Sequence, residues 1–383
     1  MANTLTNLIA DLYVALDVVS REQVGFIPAI TRDASVDRVA VGQTVRSFVA
    51  PAVAAGPINP GVTPPDDGDQ TIGNKAIAIT KARRVPLRWN GEQTLAMNNN
   101  GPGQMTIKQA QLAQAIRTLT NEIEVDLGSL HQYASRAYGA ANAIPFASTL
   151  ADSAQGRKIL ADNGSPLTDL HLVINTTAGA NLRTLAQLTK ANEAGGDTML
   201  RQGVLMDLHG FAIRESAGVA TVAAVGNNTG TYAADGAHAV GATSITVKTG
   251  TGTILAGDVI YFGTDTANQY VVTTGVSNGT TIVIGAPGLR KALAGSEAVT
   301  IVAATARNMA FERTAIVLAT RLPALPEGGD LAIDREIIVD PRSGLAFEVA
   351  MYPQYRQMQY EISCCWGVSM IKPEHCALLI SQP

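Results

Sequence analysis

The feature that most constrains this chain is a single apolar stripe over residues 106–138. Its members recur at intervals of three and four residues, at Leu112, Ile116, Leu119, Ile123, Leu127, Leu130 and Ala134. That spacing places all of them on one face of an α-helix. Thr106 and Gln109 have capping-box spacing at its start. The pattern predicts one helix, Thr106–Tyr138, roughly 50 Å long and lying across a sheet, because the stripe is too short and too poor in paired charges for a coiled coil.

A segment dense in proline and glycine lies upstream, between two runs in which apolar residues alternate. The runs are RVAVGQTVRSFVAP, from Arg38, and KAIAITKARRVPLRW, from Lys75. Alternation predicts strands. The prolines that exclude a helix between them are Pro51, Pro57, Pro60, Pro64 and Pro65. The sequence therefore predicts an extended hairpin with a long ordered loop, and its acidic residues Asp66, Asp67 and Asp69 are expected to face solvent or a partner.

Residues 1–24 predict an amphipathic helix that ends before Gly25 and Pro28. Its apolar positions are Leu5, Leu8, Leu12, Leu16 and Val19. A short helix cannot bury such a stripe alone, so we expect it to dock on its own domain or on a neighbouring subunit.

The downstream half changes character several times. Residues 165–216 alternate between strand and helix patterns and predict an α/β unit. Residues 217–305 carry short β runs separated by glycine-rich turns, which predicts a compact barrel or sandwich inserted into that unit. Helix-forming and α/β character is expected to resume at NMAFERTAIVLATRL, from Asn308. Residues 331–383 predict strands, with a hairpin around 340–344.

Composition excludes several classes of protein. Lys and Arg total 28 and Asp and Glu total 32, so the net charge of −4 offers no basic excess for nucleic-acid binding. The charged fraction of 16% lies below the usual value of about 25%, which indicates either extensive self-association or simply a Gly/Ala/Thr-rich chain. Three cysteines clustered near the C-terminus indicate a reducing compartment. The N-terminal segment does not look like a signal peptide, and no apolar run reaches membrane-span length.

No catalytic, cofactor-binding or metal-binding set is recognised. Gly73-Asn74-Lys75 lacks the upstream spacing of a phosphate-binding loop. The glycines Gly250, Gly252 and Gly257 lie between predicted strands. A zinc site could draw on Cys364, Cys365, His375 and Cys376. Adjacent strand residues point to opposite faces, however, so a core role is favoured for the cysteines. The histidines, which form no spaced set, are His131, His171, His209, His238 and His375. We predict a non-enzyme, although an active site assembled from scattered residues stays open.

The order of these parts resembles the major capsid protein of a tailed phage, of the P22-type coat family. Similar strings are MANTLTNLIADLYVALDVVSREQVGFIPA, GVTPPDDGDQTIGN, ITKARRVPLRWNGEQ, RTLTNEIEVDLG, ASRAYG, GTGTILAGDV and NMAFERTAIVLATR. The resemblance covers nearly the whole chain and rests on their joint order, since none is a catalytic signature. It implies an α+β, HK97-like (Johnson) capsid fold with an N-arm, E-loop, long spine helix, peripheral and axial domains, and an inserted all-β domain.

The resemblance also implies a division of the chain. The segments are an N-terminal arm at 1–41, an E-loop hairpin at 42–97, a peripheral domain with the spine helix at 98–164, a first axial part at 165–217, an inserted β-barrel-like domain at 218–305, a second axial part at 306–330 and closing peripheral strands at 331–383.

The function implied is that of a subunit forming hexamers and pentamers of an icosahedral shell around double-stranded DNA. Implied partners are a scaffolding protein, a portal and a decoration protein, without sequence-specific DNA contacts and without a membrane. The implied location is the virion, with assembly in the host bacterial cytoplasm. Lys75 and Lys81 lie near the loop, but nothing matches the catalytic carboxylate of family members that cross-link. Two alternatives are a soluble enzyme or carbohydrate-binding protein that uses the β module, and an encapsulin-like compartment.

Overall fold

The computed structural model describes part of the chain. The described residues are 24–49, 55–58, 60–63, 68–100, 104–189, 207–222, 225–227, 232–248, 250, 252–340 and 343–382. The expected helix over residues 1–24 lies outside them except for Val24, and so do Asp66 and Asp67 of the loop.

Among the described α-helices, the first precedes the long apolar stripe, the second carries it, and the last three follow it. The α-helices are α1 (Gly91–Asn100), α2 (Gln104–Ser129), α3 (Ala151–Asp162), α4 (Thr176–Thr184) and α5 (Ala186–Thr189). Short 3-10 helices occupy Ile27–Ala29, Leu130–Tyr133, Arg313–Ala315 and Pro373–His375. The sequence patterns did not predict α1 or α3.

Strands make up most of the remaining regular structure. They are β1 (Thr31–Val39), β2 (Thr44–Val49), β3 (Gly73–Ala78), β4 (Lys81–Asn90), β5 (Arg136–Gly139), β6 (Leu170–Ile174), β7 (Phe211–Glu215), β8 (Thr221–Val222), β9 (Ser244–Thr246), β10 (Thr253–Ile254), β11 (Val259–Phe262), β12 (Asp265–Thr274), β13 (Val276–Ser277), β14 (Thr281–Ile284), β15 (Val299–Ile301), β16 (Thr305–Glu312), β17 (Ile316–Pro323), β18 (Asp334–Val339), β19 (Ala346–Gln354), β20 (Gln357–Met370) and β21 (Cys376–Ser381).

Two large sheets organise these strands. The first has the order β1-β17-β20-β19-β18, and β4 also pairs with β20. The second has the order β15-β11-β12-β5-β21-β16-β6-β7, with β14 and β9 joined through β12 and β8 joined through β16. Most pairs are antiparallel, while β1 with β17, β21 with β5, and β6 with β7 are parallel. Two-stranded ribbons are formed by β2 with β3 and by β10 with β13.

The long stripe is confirmed on α2. Leu119, Ile123 and Leu127 are buried, and they belong to the main apolar core together with Trp366. Burying such side chains contributes about 1.5–3 kcal/mol each, which stabilises the helix against the sheets.

The expected helix end at Tyr138 is wrong, because α2 ends at Ser129. Residues 136–139 form β5 instead, and β5 pairs with both β21 and β12. Helical spacing continues through Ala134, but tertiary pairing on two sides overrides a local preference of a few tenths of a kcal/mol per residue.

A second correction concerns the stretch from Asn308, where helix-forming character was expected. It forms β16 and β17, joined by the 3-10 turn at Arg313–Ala315. Every residue of β16 is buried, and the strand lies between β21 and β6. A strand buried on both faces has no polar alternation, so its pattern cannot be distinguished from that of a buried helix.

The other strand predictions are confirmed. The expected β runs of residues 217–305 correspond to β9, β11, β12, β14 and β15, and β18 pairs with β19 around the turn at 340–344. Fifteen buried residues between Tyr232 and Val299 form an apolar cluster separate from the main core. The same region also pairs with the rest of the chain through β12 and β5. The seven-segment division stays a prediction.

Candidate assembly surfaces

The ribbon of β2 and β3 is the expected hairpin. Val45 lies opposite Ile77, and the register runs from Thr44 opposite Ala78 to Val49 opposite Gly73. Its base is anchored, because Ile77 and Ile79 are buried in a small cluster with residues of β17 and β20. The Nζ of Lys75 also donates a hydrogen bond to the carbonyl oxygen of Ile371.

The described loop residues between these strands are exposed. Ile58 and Val62 are fully exposed, and Ile72 is mostly exposed. We call β2, β3 and residues 50–72 the arm. Burying these apolar side chains would be favourable by about 25 cal/mol for each Å² of apolar surface removed from water. Each is therefore suited to being covered by another molecule.

Beside the arm, β4 carries basic side chains on both faces, with Lys81 and Arg83 directed at α2 and Arg84 at β20. The Nζ of Lys81 donates to Asp126 at 2.7 Å, and Arg83 Nε donates to Glu122 at 2.9 Å. Arg84 pairs with Glu361 at 2.7 Å. The hydrogen bond with Asp126 raises the pKa of Lys81 above its usual value. Arg83 and Arg84 stay more than half exposed, so each keeps donors free for a further carboxylate.

A shallow groove runs between β4 and α2. It has a volume of about 150 Å³, and its apolar lining includes Val85, Leu87 and Ala115. We call it the β4–α2 groove. Pro86 lies within β4, removes one backbone donor and so makes this edge unsuited to pairing with a further strand.

A third exposed apolar surface lies at the other side of the first sheet. Ile337 and Val339 are exposed on β18, which has a strand neighbour on one side among the described residues. Leu331 and Ile333 just before it are exposed as well. Nothing in the described residues covers this surface.

Helix α2 carries two acidic residues whose contacts the sequence patterns did not predict. Asp126 accepts a hydrogen bond from Trp366 Nε1 at 2.8 Å, besides the one from Lys81. Glu124 is buried and accepts backbone hydrogen bonds from residues 25–27. Neither contact has a sequence signal, because the partners lie far away along the chain.

The cysteines and histidines weighed as metal ligands are mostly core residues. Cys364 belongs to the main core and Cys365 to the small cluster under the arm, so the two side chains do face opposite ways. Burial raises the pKa of Cys364 to about 12 and lowers that of His131 to about 4. Within the described ranges, no three His, Cys, Asp or Glu side chains are close enough to share a metal ion.

Two further expectations concern loops and membranes. Gly252 is a β-bridge residue directly before β10, and Gly257 lies in the turn before β11. Both adopt positive φ angles, as glycines between strands commonly do. No helix in the described portion of the chain is both long and apolar enough to cross a bilayer.

Comparison with known proteins shows the fold. No protein-family model and no curated protein matches the sequence. The capsid of a native GTA particle superposes with a TM-score of 0.50 and 8% identity, covering 100% of this chain and 96% of that one. Two other matched structures are a capsid of cyanophage P-SCSP1u (TM-score 0.49, 10% identity, 100% and 92% covered) and a structure from Mycobacterium phage Che8 (0.48, 12%, 99% and 98%). The match to the GTA capsid confirms the α+β, HK97-like capsid fold expected from the sequence.

Proposed function

We propose that this chain is the major capsid protein of a tailed phage and that its copies assemble into an icosahedral shell around a double-stranded DNA genome. The observation that carries the proposal is the capsid fold, shared over the whole chain. The net charge of −4 fits a shell that encloses DNA without sequence-specific contacts. Within this class, the similar strings favour the P22-type coat family, with an inserted β domain.

The proposed shell contains hexamers and pentamers, assembled around a scaffolding protein and completed by a portal and a decoration protein. Its location is the virion, and its assembly takes place in the host bacterial cytoplasm. Three free, buried cysteines support assembly in a reducing compartment.

We place the arm of one copy on the β4–α2 groove of its neighbour. A ring of identical subunits needs two different surfaces that fit each other. The arm offers exposed Ile58 and Val62 together with the acidic Asp69. The groove offers apolar walls and, on the same face of β4 as Val85 and Leu87, the exposed guanidinium group of Arg83. Arg84 pairs with Glu361 on the opposite face of the strand and does not border the groove. Apolar burial would supply most of the affinity, since exposed ion pairs contribute at most about 1 kcal/mol each.

Sedimentation of the purified full-length chain tests the proposed function. Rings or megadalton particles are expected, formed by the chain alone or with the products of its neighbouring genes. A stable monomer or dimer under both conditions would contradict the proposal and favour an enzyme or carbohydrate-binding protein. Closed shells that form without scaffold and never take up DNA would favour an encapsulin-like compartment.

Deleting residues 55–69 tests the arm separately from the function. The described residues of this stretch are exposed, so the unfolding temperature of the monomer should barely change while assembly is lost. A double substitution, Ile58→Asp with Val62→Asp, should have the same effect without shortening the chain. The matched control is Val240→Asp, an exposed apolar residue outside the arm, which should assemble normally.

Two outcomes of the deletion would count against the arm. Normal assembly of the deletion variant would show that the arm is not an intersubunit element. A deletion variant whose monomer fails to fold would show that the loop belongs to the core.

A further inference from the structure

Three distant segments of the chain meet at the carboxylate of Glu124 on α2. Backbone N–H groups of Gly25 and Phe26 donate to its Oε2 at 3.3 and 3.1 Å, and that of Ile27 donates to Oε1 at 2.8 Å. The hydroxyl of Ser216 donates to Oε2 at 2.6 Å. We call this arrangement the Glu124 junction.

The two segments that donate to Glu124 lead to different parts of the molecule. Residues 25–27 follow the N-terminal segment in sequence and lead into the 3-10 helix Ile27–Ala29 and then into β1. Ser216 follows β7 directly and precedes β8, after which the chain enters the β region between residues 232 and 302. The Glu124 junction therefore joins residues 25–27, which we call the root of the N-terminal segment, to residues 216–222, which we call the root of the β region, through α2.

Backbone packing at the junction leaves no space for side chains. A Cβ on Gly218 would lie 2.7 Å from the carbonyl oxygen of Glu124, and a Cβ on Gly128 would collide with the carbonyl oxygen of Gly218. Glycine is thus required on both sides of the contact between α2 and the segment after β7. The two backbones therefore pack directly against each other at this point.

The carboxyl group of Glu124 is satisfied by hydrogen bonds rather than by an ion pair among the described residues. Its side chain is buried, and no Lys, Arg or His pairs with it among the residues described. Burial raises the pKa of this carboxyl, and the four donors oppose that rise. Oε2 accepts from both segments at once, so losing one donor leaves a buried oxygen less satisfied, and the remaining bonds no longer balance the cost of burying it.

We propose that the Glu124 junction couples residues 25–27 to residues 216–222. Loosening residues 216–222 then also releases residues 25–27 from α2. The root of the N-terminal segment and the entry to the β region then open as one unit. This coupling is a property of the single chain and does not depend on the proposed shell.

Hydrogen exchange of the full-length chain tests the coupling. Ser216→Ala removes the donor to Glu124 and the acceptor of the Gly218 N–H, both within the segment after β7. It should nevertheless speed exchange of the amides of residues 25–27 about tenfold, equivalent to about 1.4 kcal/mol. Glu124→Gln should speed exchange in both segments. Glu122→Gln, on the same helix but at the surface, is the matched control and should change neither.

Two results would overturn the proposal. Faster exchange confined to residues 216–222 in Ser216→Ala would show that the two roots open independently. An equal increase in β20, which donates no hydrogen bond to Glu124 among the described residues, would show a general loss of stability rather than coupling.

Discussion

Ile123 and Glu122 are neighbours in sequence but have different environments on α2. Ile123 is fully buried in the main core, whereas Glu122 is at the surface and accepts hydrogen bonds from Arg83 and Lys81. Ile123→Ala should lower the free energy of unfolding by about 2–5 kcal/mol, because it removes burial and leaves a cavity. Glu122→Ala should cost at most about 1 kcal/mol per ion pair. Urea unfolding measures both, and equal losses would contradict the single buried stripe.

Buried histidines make the stability depend on pH. Burial is the main cause that lowers the pKa of His131, to about 4, and it also lowers the pKa values of His171 and His375. In the unfolded chain a histidine titrates near 6.5. Between pH 6.5 and 4 the histidines therefore bind protons in the unfolded chain but not in the folded chain. The free energy of unfolding consequently falls as the pH falls. Above pH 6.5 this contribution is fully present.

His131→Gln isolates one of these contributions. The variant should lose less stability than the wild type between pH 7.5 and pH 5, measured by urea unfolding at each pH. Identical losses in the two proteins would show that His131 takes up its proton in the folded state.

At the scale of elements, the sequence predicts that a helix or strand exists better than it predicts where that element ends. The stripe on α2 and the β2–β3 ribbon follow from local periodicity and from prolines, which act on the backbone wherever they occur. The end of α2 and the strand character of β16 depend on strand partners far away along the chain. Helix α1 gave no signal, since its sequence GEQTLAMNNN has no apolar stripe.

The β region offers an element-scale prediction. Its own apolar cluster includes Ile245, Phe262 and Ile282, and its strands pair mostly with one another. A fragment of residues 218–305 should fold with a dispersed amide spectrum and cooperative unfolding, although it loses the pairing of β12 with β5. Ile282→Ala should lower the unfolding midpoint of the fragment. A fragment without cooperative unfolding would contradict an independent inserted domain.

At the scale of the whole molecule, the arm was the part of the candidate surfaces that the sequence predicted. Proline and glycine density between strands identifies a long loop without any knowledge of its contacts. The β4–α2 groove and the Glu124 junction could not be predicted, because each brings together residues with unrelated local patterns. Glu124 and Phe26 are 98 positions apart, and a lone Glu beside an apolar stripe usually faces solvent.

The central claim is that many copies of this chain close into a shell. Electron microscopy of the full-length chain, produced alone and together with the products of its neighbouring genes, tests it most directly. The account predicts closed particles with icosahedral symmetry, in which the arm of each subunit lies over the β4–α2 groove of the next. Monomers or dimers under both conditions, at concentrations where capsid proteins assemble, would contradict it.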